Sequence, residues 1–200
     1  MPRGDGTCCN DDYQNILARQ LESTKPEPKI AFEPISEWFA RCLVLDFPEY
    51  VSMVLPGNLK TWDISFDELY EIGLARLRGH TTPKFEKQPD LYVGRWHDDC
   101  DNSRILIPEL FAPLDLEGDP VVCLPNRNSL LVTGSENQDG IRAMLKHAED
   151  IVRSKSCPMN PAPFILKNGE VADFSVSEHS PIFNDAERAK KFTALMYYQR

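Results

Sequence analysis

Two hundred residues, 42% of them hydrophobic, are enough for one sizeable core, so the chain reads as one domain with an arm. A formal net charge of −9 argues against a nucleic-acid backbone as partner, because phosphate binding is driven by Lys and Arg. The sequence has no unbroken apolar run of about 18 residues, so no membrane span is expected.

The opening MPRGDGTCCNDD lacks the apolar stretch of a secretory signal, and the expectation is a cytoplasmic protein. Its six cysteines show no framework spacing and read as reduced thiols. Cys8 and Cys9 are adjacent but lack a second ligand pair, so no metal site is expected, and no cofactor either. Residues 1–29 form a flexible polar arm punctuated by Gly4, Gly6, Pro26 and Pro28. Within it, residues 11–21 read as a loose helix.

A single packed domain is expected over residues 30–200. Ser36 caps a helix carrying Trp38, Phe39, Cys42 and Leu43. Residues 49–55 make a second helical turn, stopped by Pro56-Gly57. The next helix has clearer signals. Ser65-Phe66-Asp67-Glu68 is a capping box, and Ile64 and Leu69 flank it as a hydrophobic staple. Leu69, Tyr70, Gly73 and Leu77 share one face, which Ile72 and Leu74 widen; Trp62 packs over the start. Residues 80–90 read as a loop and 91–96 as a strand. His97-Asp98-Asp99-Cys100-Asp101-Asn102 is a polar turn. Residues 103–111 stay open between a short helix, capped by Asp99 or Asp101, and a segment broken at Pro108.

Residues 119–152 carry the most consistent signals in the chain. Two apolar runs flank Pro125-Asn126-Arg127-Asn128, as a hairpin or as one strand broken by a bulge. Ser135-Glu136-Asn137-Gln138 reads as a capping box. Behind it Ile141, Met144, Leu145, Ala148, Ile151 and Val152 fall on one helical face. Gly140 inside that helix is expected to cost about 1 kcal/mol relative to Ala. Residues 156–163 read as a Pro-rich loop. Asn168-Gly169 between two apolar runs predicts a hairpin with a type I′ turn. A final helix starts near Asn184, with Ala189, Phe192 and Met196 facing inward. Helices interspersed with hairpins predict an α+β fold, a mixed or antiparallel sheet packed against several helices.

No phosphate loop, nucleophile elbow or HExxH motif is present. The densest polar cluster is Arg95, His97, Asp98, Asp99, Cys100 and Asp101. Its catalytic reading is a His97–Cys100 nucleophile pair or a His/Asp metal site; its plain reading is a solvated turn. Arg127, with Asn126 and Asn128, stands on a rigid turn suited to binding, and its guanidinium can fork onto a carboxylate or phosphate. Ser135 lies at a helix N-terminus, where free N–H groups favour anions.

Trp62-Asp63-Ile64-Ser65 before Leu69-Tyr70-Glu71-Ile72, then Gly118-Asp119-Pro120-Val121-Val122, Pro125-Asn126-Arg127-Asn128-Ser129-Leu130 and Thr133-Gly134-Ser135-Glu136, resemble the YtpQ-like family of uncharacterised bacterial proteins. The resemblance covers residues 62–174. The family usually carries Asp after that Arg; here Asn128 stands there. The resemblance implies a bacterial cytosolic α+β protein with no established activity.

Two functions follow. The first is a non-enzymatic binding module, immunity-like or regulatory, whose surface includes Arg95, Asn126, Arg127, Asn128 and Ser135. Its acidic balance suits a basic protein partner. The second is a hydrolase or transferase using His97, Asp98 or Cys100. An enzyme brings His97, Arg127 and an acid into one concavity; a module spreads them over an exposed face.

Overall fold

A computed structural model describes residues 30–36, 39–47, 49–154 and 158–198. The expectations for the arm at 1–29 therefore lie outside the described residues. Among the described residues the fold is α+β: four helices accompany one six-stranded antiparallel sheet and two small hairpin sheets. Backbone contacts divide the chain at His80/Thr81 into two compact units. The stretch 30–200, read from sequence as one domain, spans both.

In the first unit, β1 (Phe32–Pro34) pairs antiparallel with β2 (Ala40–Cys42), and β3 (Val44–Asp46) with β4 (Val51–Met53). This corrects the helix expected after Ser36 and the helical turn expected at 49–55. Ser36 does cap, but it caps a turn: its Oγ accepts the Phe39 N–H at 3.2 Å while its own N–H reaches the Phe39 carbonyl at 3.1 Å. Four apolar residues were too few to establish a helical period, and Val44, Val51 and Val54 favour the pleated alternative.

Pro56 starts a helix rather than stopping one. It opens α1 (Pro56–Trp62), where a missing N–H costs nothing. Trp62 ends α1 with 43% of its surface exposed. That helix, α2 (Phe66–His80), has its predicted capping box: Ser65 Oγ accepts the Glu68 N–H at 3.2 Å, and Glu68 accepts the Ser65 N–H at 2.9 Å. Leu74 is buried, whereas Ile72 points outward.

The second unit is built on the sheet ordered β10-β9-β7-β8-β6-β5. Its strands are β5 (Phe85–Lys87), β6 (Tyr92–Gly94), β7 (Pro120–Asn126), β8 (Leu131–Gly134), β9 (Pro158–Lys167) and β10 (Glu170–Asp173). The region 80–90 thus holds a short strand. Residues 102–106 and 108–110 form two 3-10 turns separated at Ile107. The apolar runs around residue 127 form the hairpin β7–β8, in register from Pro120↔Gly134 to Cys123↔Leu131. Asn168 and Gly169 take φ of 53° and 83°, the left-handed pair that closes β9–β10.

The Pro-rich segment at 158–163 is the first half of β9, not a loop. Proline lacks a ladder donor, and β9 accommodates this with a register irregularity against β7 between Val122 and Leu124. Asn160 Oδ1 takes the Ala162 N–H at 2.7 Å, and the Pro163 carbonyl takes the Phe174 N–H at 3.0 Å.

Two further helices, α3 (Gln138–Ser154) and α4 (Phe183–Tyr198), accompany this sheet. The predicted stripe of α3 is the core: Ile141, Met144, Leu145 and Ala148 are buried together with Val121, Cys123 and Leu131. On α4, Ala186, Ala189 and Thr193 are the buried residues, Phe192 is half-buried, and the Met196 side chain lies outside the described residues.

The cap of α3 differs from expectation. Asn137 Oδ1 accepts the Gly140 N–H at 2.7 Å, whereas Ser135 Oγ accepts the Asp119 N–H at 2.9 Å and ties the strand ends together. Gly140 is also no simple propensity penalty. A Cβ there would stand 2.2 Å from Thr133 Oγ1 and 2.5 Å from the Asp90 carbonyl oxygen.

Gly140→Ala should therefore destabilise, by about 1–3 kcal/mol, although Ala is the better helix former. Met144→Asp should cost several kcal/mol, of the order expected for a buried unpaired carboxylate. Lys146→Asp, exposed on the same helix, should shift the urea midpoint little. Equal losses for Met144→Asp and Lys146→Asp would overturn the packing described.

Candidate functional site: two turns at one end of the sheet

Strands β6 and β7 both end, and β8 and β9 both begin, at the same end of the six-stranded sheet. The antiparallel registers therefore bring together the two polar turns singled out in the sequence, 95–101 and 126–128. Arg127 Nε donates to the Asp99 carbonyl at 3.4 Å and lies 4.0 Å from Asp99 Oδ1. Both side chains keep much of their exposure, at 38% and 61%.

The 95–101 turn is held from beneath. Arg104, on the first 3-10 turn, is 1% exposed. Its guanidinium donates to both oxygens of Asp98, at 2.8 and 2.6 Å, and Nε donates to Thr81 Oγ1 at 3.2 Å. One face lies 4.6 Å from the Trp96 ring centroid. Trp96 is itself anchored, its indole N–H donating to the Thr82 carbonyl at 2.7 Å. Asp101 is fully buried and accepts the backbone N–H groups of His97 and Asp98 at 3.2 and 3.3 Å. These bonds stabilise a backbone in which His97 and Asp99 adopt positive φ, 54° and 63°, without being glycine. The Arg104 guanidinium holds the Asp98 carboxyl below the ordinary Asp value of 3.8; partial burial opposes this, and the Cys100 N–H adds to it.

The predicted residues divide accordingly. His97 stays exposed, and Cys100 is half-buried with its N–H on Asp98 Oδ1 at 3.2 Å. Asn126 is buried, and its Oδ1 takes the Asn128 N–H at 3.1 Å, so it shapes the turn while Asn128 faces solvent. Arg95 points to the sheet edge, where it pairs with Glu86 at 2.8 Å and holds that carboxyl below its usual range. Ser135 lies at the opposite end of the β7–β8 hairpin and is no part of this cluster; its hydroxyl is taken by Asp119. Sequence reading missed Arg104, Trp96 and the inward role of Asp101. The available signal is the spacing Asp98–Asp101–Arg104; from sequence, Asp101 serves only as an alternative to Asp99 for capping a short helix.

Among the described residues, no group of three or more His, Cys, Asp or Glu side chains is arranged to hold a metal ion. A shallow depression elsewhere on this unit places Glu149, Asp185 and Arg188 over Leu145, Pro161 and Phe192, and none of the predicted residues lines it. No described helix is long and apolar enough to cross a membrane. Comparison of the chain with protein-family models, with curated proteins and with solved structures finds no match in any of the three.

The two arginines should behave differently. Arg104→Ala removes a buried cation and its packing and should cost about 3 kcal/mol. Arg127→Ala, partly exposed beside a solvated Asp99, should cost under about 1 kcal/mol in the same urea melts. The acid dependence follows from Asp98. Its folded pKa is lowered, so its contribution is complete above the unfolded value and is lost as pH falls through the folded one. Asp98→Asn should flatten the stability profile over that acidic window and leave its shape near neutrality unchanged.

Proposed function

We propose that this chain is a non-enzymatic, cytoplasmic binding module, immunity-like or regulatory in type. It presents the surface around Asp99, Arg127, His97 and Asn128 to a protein partner of basic character. We also propose kinship with the YtpQ-like family, on the motifs around residues 62–72 and 118–136. The observation that supports the binding reading is the use made of the acids. Asp98 is engaged by Arg104, and Asp101 by two backbone N–H groups, so both hold the turn. A general base needs a carboxylate free to face substrate; the exposed Asp98 is committed to the Arg104 guanidinium and Asp101 is buried. Asp99 and Arg127 remain as an adjacent acceptor and donor on a stiff support, which suits recognition, since little ordering entropy is lost on binding. The net charge of −9 favours encounter with a cationic surface.

Affinity capture from host lysate tests this reading. A basic protein should be retained by the full chain, and Asp99→Lys and Arg127→Lys should each weaken its binding by about tenfold or more while leaving the urea midpoint unchanged. Retention of the same proteins with undiminished affinity by both variants would overturn it.

A further inference from the structure

Both polar turns of the candidate site rest against the first residues of β9. Pro158 pairs opposite Asn126, the foot of the Arg127 turn. The next residue, Met159, is half-buried, and its Sδ accepts the Asn102 side-chain N–H at 3.2 Å. Asn102 opens the first 3-10 turn directly after Asp101, whose carboxylate holds the His97 and Asp98 amides. The Asn102–Met159 contact therefore ties β9 to the residues that shape the 97–101 turn. A thioether is a weak acceptor, and it is also readily converted to a sulfoxide by peroxides when they can reach it. Met144 provides the contrast, since it lies fully buried in the core of the same unit.

We propose that Met159 is an oxidation site for peroxides, and that its conversion to the sulfoxide releases Asn102 and loosens the 97–101 turn. A lone pair on Sδ attacks one oxygen of hydrogen peroxide and the O–O bond breaks. The other oxygen takes the proton of the transferred one and leaves as water, so the sulfur is oxidised and the peroxide reduced by one electron pair. Either sulfoxide epimer ends the present contact. An oxygen on the lone pair that faces Asn102 would have to stand within the 3.2 Å gap, which has no room for it. An oxygen on the other lone pair draws electron density from the sulfur, which then no longer accepts from the amide. The neighbouring bonds have little reserve: Asp101 holds the His97 and Asp98 amides at 3.2 and 3.3 Å, at the long end for N–H···O bonds. A displacement of residue 102 is felt there first. The consequence for recognition rests on the binding role proposed above; the oxidation and the loosening do not.

Treatment of the full chain with hydrogen peroxide, then with a thiol reductant to reverse reversible cysteine oxidation, tests this by peptide mass spectrometry and hydrogen–deuterium exchange. Met159 should gain one oxygen under conditions in which Met144 gains none. Amides of 97–101 should then exchange at least about tenfold faster, while those of α3 keep their rate. Met159→Leu, a change close in volume that leaves no sulfur to oxidise, should show no response at 97–101 to the same treatment. Met159 that stays a thioether until Met144 is oxidised would overturn the proposal. So would unchanged exchange at 97–101 in the sulfoxide form, or an equal response in Met159→Leu, which would assign the effect to another residue such as the half-buried Cys100. None of these outcomes bears on the Asp99 and Arg127 variants, whose capture of a basic protein tests the recognition role by itself.

Discussion

The close approach of α3 to β8 is the constraint on which the second unit depends. Gly140 sits where any side chain would meet Thr133 and the Asp90 carbonyl, so a missing Cβ sets how near the helix lies to the sheet. Thr133 Oγ1 donates to that same carbonyl at 3.1 Å, which ties the turn before β6 to β8. With the first turn of α3 fixed there, Ile141, Met144, Leu145 and Ala148 meet the sheet in order. A helix former at position 140 would improve the helix and spoil its seat, because packing at native density outweighs intrinsic propensity.

At the other end of the same strands, polar side chains do the positioning. The turn from β6 to the 3-10 turn has little apolar content, so hydrophobic burial cannot hold it. Arg104 and Asp101, both buried, hold it by charge-assisted and backbone hydrogen bonds. Each side chain is costly to bury alone and tolerable once its donors or acceptors are matched. Asn102 extends the arrangement by donating to Met159 Sδ at 3.2 Å, joining the turn to the start of β9. The result is a rigid edge on which the less committed residues, Asp99 and Arg127, are displayed.

Cys123 shows the contrasting use of a reactive residue type. It is fully buried in the apolar centre of β7, where desolvation raises its thiol pKa far above the usual range. Its Sγ contacts the Pro161 carbonyl at 3.4 Å, so it serves as a small core residue in the bulged stretch of β9. Neither the thiol nor the buried carboxylate Asp101 is available for chemistry, and for the same reason: each is consumed by the packing around it.

Much of the local structure could be read from sequence alone. The stripe on α3, the capping box at Ser65 and the Asn168-Gly169 turn depend on residues within one or two turns of each other, so spacing suffices to predict them. The α+β class followed from the same local signals. The strands of the first unit and the first half of β9 were misread because short apolar runs and prolines acquire meaning only from a pairing partner far along the chain. The candidate site was legible as two separate polar turns. Their juxtaposition was not, since it depends on the register of β6, β7 and β8. Sequence could name Arg127 as a surface cation, but it could not distinguish it from Arg104. That distinction rests on burial and on which carboxylate faces which guanidinium, and only the tertiary structure decides both.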